Sequence, residues 1–135
     1  MKTIRERING LSGFREKVKG DANEGKMSSL YNWLCETAGS IEHYAKVLQT
    51  NPKAAVKSST FIMRQAAIVE ELLEPLERIN AGDMTTEEFV ANRANMYLNM
   101  MRSMLPTFGN TNMGINLYEL KEHQVRIDIY NLICA

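Results

Sequence analysis

Residues 27–49, MSSLYNWLCETAGSIEHYAKVLQ, are the stretch on which the fold turns. Met27, Leu30, Leu34, Ala38, Ile41, Ala45 and Leu48 recur at steps of three and four, the period of one helix face. Tyr31, Trp33 and Tyr44 flank that stripe. Ser28 or Ser29 supplies the N-cap, so the pattern predicts a helix over 28–49. Thr50-Asn51-Pro52 closes it and opens the next, because proline is tolerated at the first helical position, where its missing N–H costs nothing.

Downstream, Ile62, Ala66, Val69, Leu73 and Leu76 keep the same rhythm straight through Pro75. A phase preserved across a proline predicts one helix over 52–81, kinked at Pro75. Asn80-Ala81-Gly82 ends it, with Gly82 as a left-handed cap. The next start is marked twice. Thr85 and Glu88 form a capping box, and Met84 with Phe89 forms the hydrophobic staple of a helix over 86–104 that stops before Pro106. Residues 105–116, LPTFGNTNMGIN, read as a loop. Toward the N-terminus, Ile4, Ile8, Leu11, Phe14 and Val18 predict a helix over 2–19, weakened by Gly10 and Gly13. Residues 20–25 read as a flexible loop.

The C-terminal stretch carries two signals. Asn116 with Glu119 and Ile115 with Leu120 repeat the box and staple, predicting a helix over 117–133. Val125-Arg126-Ile127-Asp128-Ile129-Tyr130 instead alternates like a strand. Strong helix formers upstream and the lack of a strand partner elsewhere favour the helix. The expected fold is therefore all-α: a compact bundle of about five helices in one domain spanning residues 1–135.

The composition agrees with that size of core. The chain has 135 residues, 44% hydrophobic and 24% charged, close to the average for a globular domain. No apolar run is long enough for a membrane span. The N-terminus is charged throughout without an apolar signal-peptide core, and Cys35 and Cys134 fit no metal or redox spacing. Both features point to a cytoplasmic protein with free thiols. Sixteen basic residues balance sixteen acidic ones, which argues against a surface wholly tuned to nucleic acid. The charges are nevertheless segregated. Lys2, Arg5, Arg7, Arg15, Lys17, Lys19 and Lys26 crowd the first 26 residues, whereas Glu70, Glu71, Glu74, Glu77, Asp83, Glu87 and Glu88 meet Arg78 alone. The two patches either face each other inside the fold or leave one for a partner.

Motifs for chemistry are lacking. The Glu-x-x-His pair of carboxylate-bridged metal bundles is missing, since Ser40 precedes His43 by three and Leu120 precedes His123 by three. His43 falls on the polar side of its helix beside Asn32 and Glu36. Gly109 and Gly114 have phosphate-loop spacing, but Ile115-Asn116 stands where Lys-Ser/Thr is needed. No nucleophile motif is present. Neither a catalytic site, a metal site nor a cofactor is expected.

The residues that break the pattern carry the functional reading. Phe89, Val90, Ala94, Met96, Tyr97, Met100, Met101, Met104 and Leu105 cover an arc of about 200° at roughly 100° per residue. Such an arc suits a central helix or one with a second face for another chain. Arg93 lies in its middle, either paired with a carboxylate of the 70–77 run or facing a partner. The adjoining loop offers Phe108 and Met113 as apolar anchors and Asn110 and Asn112 as polar reach, either plugging the bundle or meeting a partner. Arg93, Met100, Met104, Phe108, Asn110, Asn112 and Met113 are thus the candidate partner surface.

The expected function is non-enzymatic binding of another macromolecule, foremost a protein, as small helical adaptors, regulators and phage or mobile-element inhibitors of host proteins do. That comparison is one of type alone. A homodimer or higher oligomer is expected from the apolar arc and the run Ile129-Tyr130-Leu132-Ile133. The alternative is a nucleic-acid-associated regulator contacting phosphates through Arg5, Arg7, Arg15, Lys17 and Lys19. An enzyme whose site converges only in space is third.

Overall fold

The computed structural model describes residues 1–96 and 117–134, and of these not the side chains of 54–61, 117–123 and 134. Every described element of regular structure is helical. The elements are α1 (Ile4–Asn9), α2 (Phe14–Lys17), α3 (Glu24–Thr50), α4 (Pro52–Ala81), α5 (86 to 96 within the described residues) and α6 (Leu117–Cys134). α3 and α4 pair as a long hairpin, α6 packs against both, and α1 and α2 lie across the same two helices. The fold is the helical bundle that the periodicities predict.

The core sits where the stripes cross. Met27, Leu30, Leu34 and Ala38 of α3 meet Ile68, Val69, Leu72, Leu73, Leu76 and Ile79 of α4, with Phe89 of α5 and Ile129 and Ile133 of α6 closing the cluster. Burying each such side chain contributes about 1.5–3 kcal/mol relative to leaving it in water.

The N-terminal segment departs from the predicted single helix over 2–19. α1 is capped by Thr3, whose hydroxyl accepts from the Glu6 N–H at 3.1 Å, and it ends after Asn9. The chain then turns through Gly10–Gly13 with three-residue bonds, Leu11 N–H to Ile8 at 2.9 Å and Phe14 N–H to Leu11 at 2.9 Å. The spacing explains the break. Ile8, Leu11 and Phe14 are three apart twice, and a turn of three residues keeps them on one face where an α-helix would rotate them. All three are buried, as is Val18. Gly10 and Gly13 make the tightening cheap.

The second departure concerns residues 20–25. α3 begins at Glu24, four residues before Ser28, and the preceding loop is tied down. Asp21 Oδ1 accepts from the Asn23 N–H at 2.8 Å and from the Thr86 hydroxyl at 2.7 Å, while Asn23 Nδ2 donates to Thr86 Oγ1 at 3.1 Å. Thr86 is itself buried. Only the α5 start, more than sixty residues downstream, completes this cluster. A loop with such partners is held.

The Asp21 carboxyl is held below its ordinary range, first by the Asn23 N–H and then by the Thr86 hydroxyl. A lowered folded pKa means that the ionised carboxylate favours the native state. That contribution is present above the ordinary value of 3.8 and is lost as pH falls through it and below. Asp21→Asn is therefore expected to be less stable than the parent at neutral pH, with the gap closing on acidification to about pH 2. Urea titrations across that range check it; a gap that does not change with pH would show that ionised Asp21 does nothing for the fold.

The other punctuation matches its signals. α4 continues through Pro75. Gly82 has φ +84°, and its N–H donates to Ile79 at 3.1 Å while Asp83 N–H reaches Arg78 at 2.8 Å, the paired bonds of a Schellman cap. The Glu88 N–H donates to Thr85 Oγ1 at 3.1 Å, with Phe89 in the core and Met84, partly buried, packed against it. Residues 125–130 are helix and not strand: Gln124 Nε2 donates to Asp128 Oδ1 one turn on at 3.0 Å, and Ile129 and Ile133 are buried together.

Candidate binding surfaces

The three N-terminal arginines are engaged by the neighbouring helices. The Arg7 guanidinium forks onto Glu77 of α4, its Nε 3.2 Å from each carboxylate oxygen, with Nη2 on Oε1 as well. Glu77, together with the nearby charges of Glu70 and Glu74, raises the Arg7 pKa further. Here the basic and acidic patches do face each other. Arg5 donates from Nε to Glu42 of α3 at 2.7 Å. Arg15 donates to Asn32 Oδ1 and lies over the Tyr31 ring, 5.4 Å from its centre. Tyr31 in turn stacks on Phe14 at 5.9 Å. Lys17 and Lys19 are exposed, the first reaching toward Gly82 at the end of α4. An exposed ion pair adds little stability but does neutralise the charge a phosphate would need.

Beside the Arg7–Glu77 pair lies an open cleft of about 180 Å³ between Lys2, Glu6, Leu11 and Asn80. Two cations and two carboxylates line it, so it presents no net charge to a ligand. His43 is exposed on α3, edge-on to Tyr44 at 6.0 Å. Cys35 is a partly buried free thiol beside Tyr31. Burial, then the charge and hydrogen bond of Cys35, push the Tyr31 phenol up. Among the described residues no three His, Cys, Asp or Glu side chains converge as a metal site would require.

Of the candidate partner residues, Arg93 alone falls among the described ones; Met100, Met104, Phe108, Asn110, Asn112 and Met113 lie outside them. Arg93 is partly buried. Its contact is neither a carboxylate nor open solvent, because Nη2 donates to the backbone carbonyl of Glu71 at 3.0 Å. The Glu71 carboxylate belongs to Arg126 of α6, whose Nη1 stands 2.8 Å away. Sequence reasoning did not single out Arg126. Its signal was available once 117–133 is taken as helix, since Arg126, Ile129 and Ile133 share a face at steps of three and four.

A surface that the sequence reading did not flag is the far end of the α3–α4 hairpin. The core uses α3 only as far as Ala38, and none of residues 39–50 is buried. Ile41, Val47 and Leu48 are only partly covered there, and Tyr44 is 41% exposed. On α4, Met63 is 73% exposed. Apart from Met1, Tyr44 and Met63 are the large hydrophobic side chains left exposed among the described residues. The apolar stripe thus runs past the core that would cover it. No described helix is long and apolar enough to cross a membrane.

No protein-family model, curated protein or solved structure matches this chain.

Proposed function

We propose that this is a non-enzymatic helical protein that acts by binding another protein, in the manner of an adaptor, regulator or inhibitor. The observation that carries the reading is the exposure of Tyr44 on α3 and Met63 on α4, both outside the buried core cluster. Large apolar side chains left exposed on a helical scaffold are what a protein interface uses as anchors. The apolar arc expected from the sequence over 89–105, with the candidate residues from Met100 to Met113, is the remainder of the proposed surface, and self-association through it is part of the same reading. The internal pairing of Arg5, Arg7 and Arg15 favours a protein partner over nucleic acid, because those cations already have acceptors. A reducing, cytoplasmic setting fits the free thiol of Cys35.

The test is affinity capture with the tagged full chain from its native host, read by mass spectrometry and by nucleic-acid staining. A stoichiometric protein is expected in the eluate. The double variant Tyr44→Ser/Met63→Ser should remain as stable as the parent within about 0.5 kcal/mol, both side chains being exposed. Its affinity for the captured protein should fall roughly tenfold or more, as when interface anchors are removed. Undiminished binding by the folded double variant would exclude the hairpin end. DNA or RNA in place of a protein would transfer the function to the basic N-terminal segment, and a sedimentation series would identify a second copy of the chain as the partner.

A further inference from the structure

A proline within a helix has no N–H for the carbonyl four residues before it. In α4 the proline is Pro75, and the carbonyl left without its helical donor is that of Glu71. It is this carbonyl that receives Arg93 Nη2 from α5, at 3.0 Å. The rest of the guanidinium is held in place: Nη1 lies 3.8 Å from Met96 Sδ, and the group stands 6.0 Å from the centre of the Phe89 ring. Glu71 therefore takes an arginine of α5 on its backbone and Arg126 of α6 on its carboxylate. Pro75 is buried, among Leu72, Leu73 and Leu76.

We propose that Arg93 is the replacement donor for the N–H that Pro75 lacks, a latch that couples the seating of α5 to the integrity of α4 at its proline. With α5 seated, the ladder of α4 is closed from outside. When α5 lifts away, the Glu71 carbonyl loses its donor, and α4 loosens at Pro75, one turn from the Arg126 contact that holds α6. The latch also accounts for a charged residue in the middle of the apolar arc of α5. A charge-assisted bond to an orphaned carbonyl is stronger than a neutral one, and a single aliphatic side chain could not supply it.

A double-mutant cycle on the full chain tests the coupling, with urea unfolding as the readout. Arg93→Met keeps the length and apolar stem but removes the donor, and should lower the folding equilibrium constant roughly tenfold or more. Pro75→Ala returns an N–H to the helix. In that background Arg93→Met should cost less than about threefold, since the carbonyl then has its own donor. Arg126→Met, which removes the carboxylate contact instead, should cost the same in both backgrounds. An equal cost of Arg93→Met with and without Pro75 overturns the latch, as does equal relief of both arginine variants by Pro75→Ala. Should Arg93→Met alone fail to fold, a folded double variant supports the latch and an unfolded one overturns it.

Discussion

Replacing Phe14 by alanine is expected to cost about 3–5 kcal/mol, the range for a large aromatic removed from a core that cannot close around the gap. The side chain is fully buried and stacks on Tyr31, 5.9 Å between ring centres. It sits on α2, a helix of four residues flanked by turns, which has little stability of its own. The loss should therefore spread. α1 and α2 are held to α3 and α4 by Ile8, Leu11, Phe14 and Val18 more than by their own hydrogen bonds. Domains of this size have about 5–15 kcal/mol of net stability, so the variant should melt far below the parent or unfold outright. Hydrogen exchange of the variant should show residues 4–18 losing protection first. Phe14→Leu, which refills most of the volume, should recover much of the loss. A Phe14→Ala protein within 1 kcal/mol of the parent, on the order of a surface substitution, would mean that the N-terminal segment is an appendage and not part of the core.

The second large effect separates helix from strand at the C-terminus. In a strand Val125, Ile127 and Ile129 would share one face and be worth similar amounts. In α6 they do not. Ile129 is fully buried with Ile133 one turn on, whereas Ile127 is only partly covered. Ile129→Ala should cost about 2–5 kcal/mol and Ile127→Ala markedly less, since a partly exposed side chain gives up less apolar contact. Chemical denaturation of the two variants side by side checks the order. Equal losses at 127 and 129 would contradict the helical phase of α6 and reopen the alternating reading.

How much of the candidate site was legible depends on the distance its contacts span. The polar position of His43 could be read from helical phase, because a helix wheel needs only the neighbouring turns. The hairpin end could not. Ala45 and Leu48 continue the same stripe as Met27 and Leu34 without a break, with Tyr44 flanking it, so periodicity alone treats the whole stripe as core. Whether a stripe is covered depends on what packs over it, and the described core stops at Ala38 on α3. Arg93 shows the same limit. Its place among apolar side chains predicted a partner for its charge, and the acidic run of α4 was the natural acceptor. The acceptor proved to be a backbone carbonyl, for which Glu71 has no distinguishing side chain. Its distinction lies in Pro75, four residues away on a different helix from the arginine.

By itself the sequence determined that the chain is helical, where α4 and α5 begin, and where α4 ends. Each of those decisions is local: Pro52 at a first turn, Thr85 with Glu88, and Gly82 in a left-handed cap all act within five residues of backbone. It also marked Ile8, Leu11, Phe14, Val18, Met27, Leu30, Leu34 and Ala38 as core, because there burial follows the three- and four-residue steps whether the backbone is an α-helix or, as at Ile8, Leu11 and Phe14, a chain of tighter turns. Tertiary structure decided the rest. Thr86 anchors the loop before α3 and lets that helix start at Glu24; Glu77 and Glu42 claim the N-terminal arginines; Glu71 receives Arg93 and Arg126. Such contacts join positions 22 to 70 residues apart. Their partners are set by how the helices cross, which local propensity does not encode, and a polar group finds its acceptor only after the apolar faces have packed.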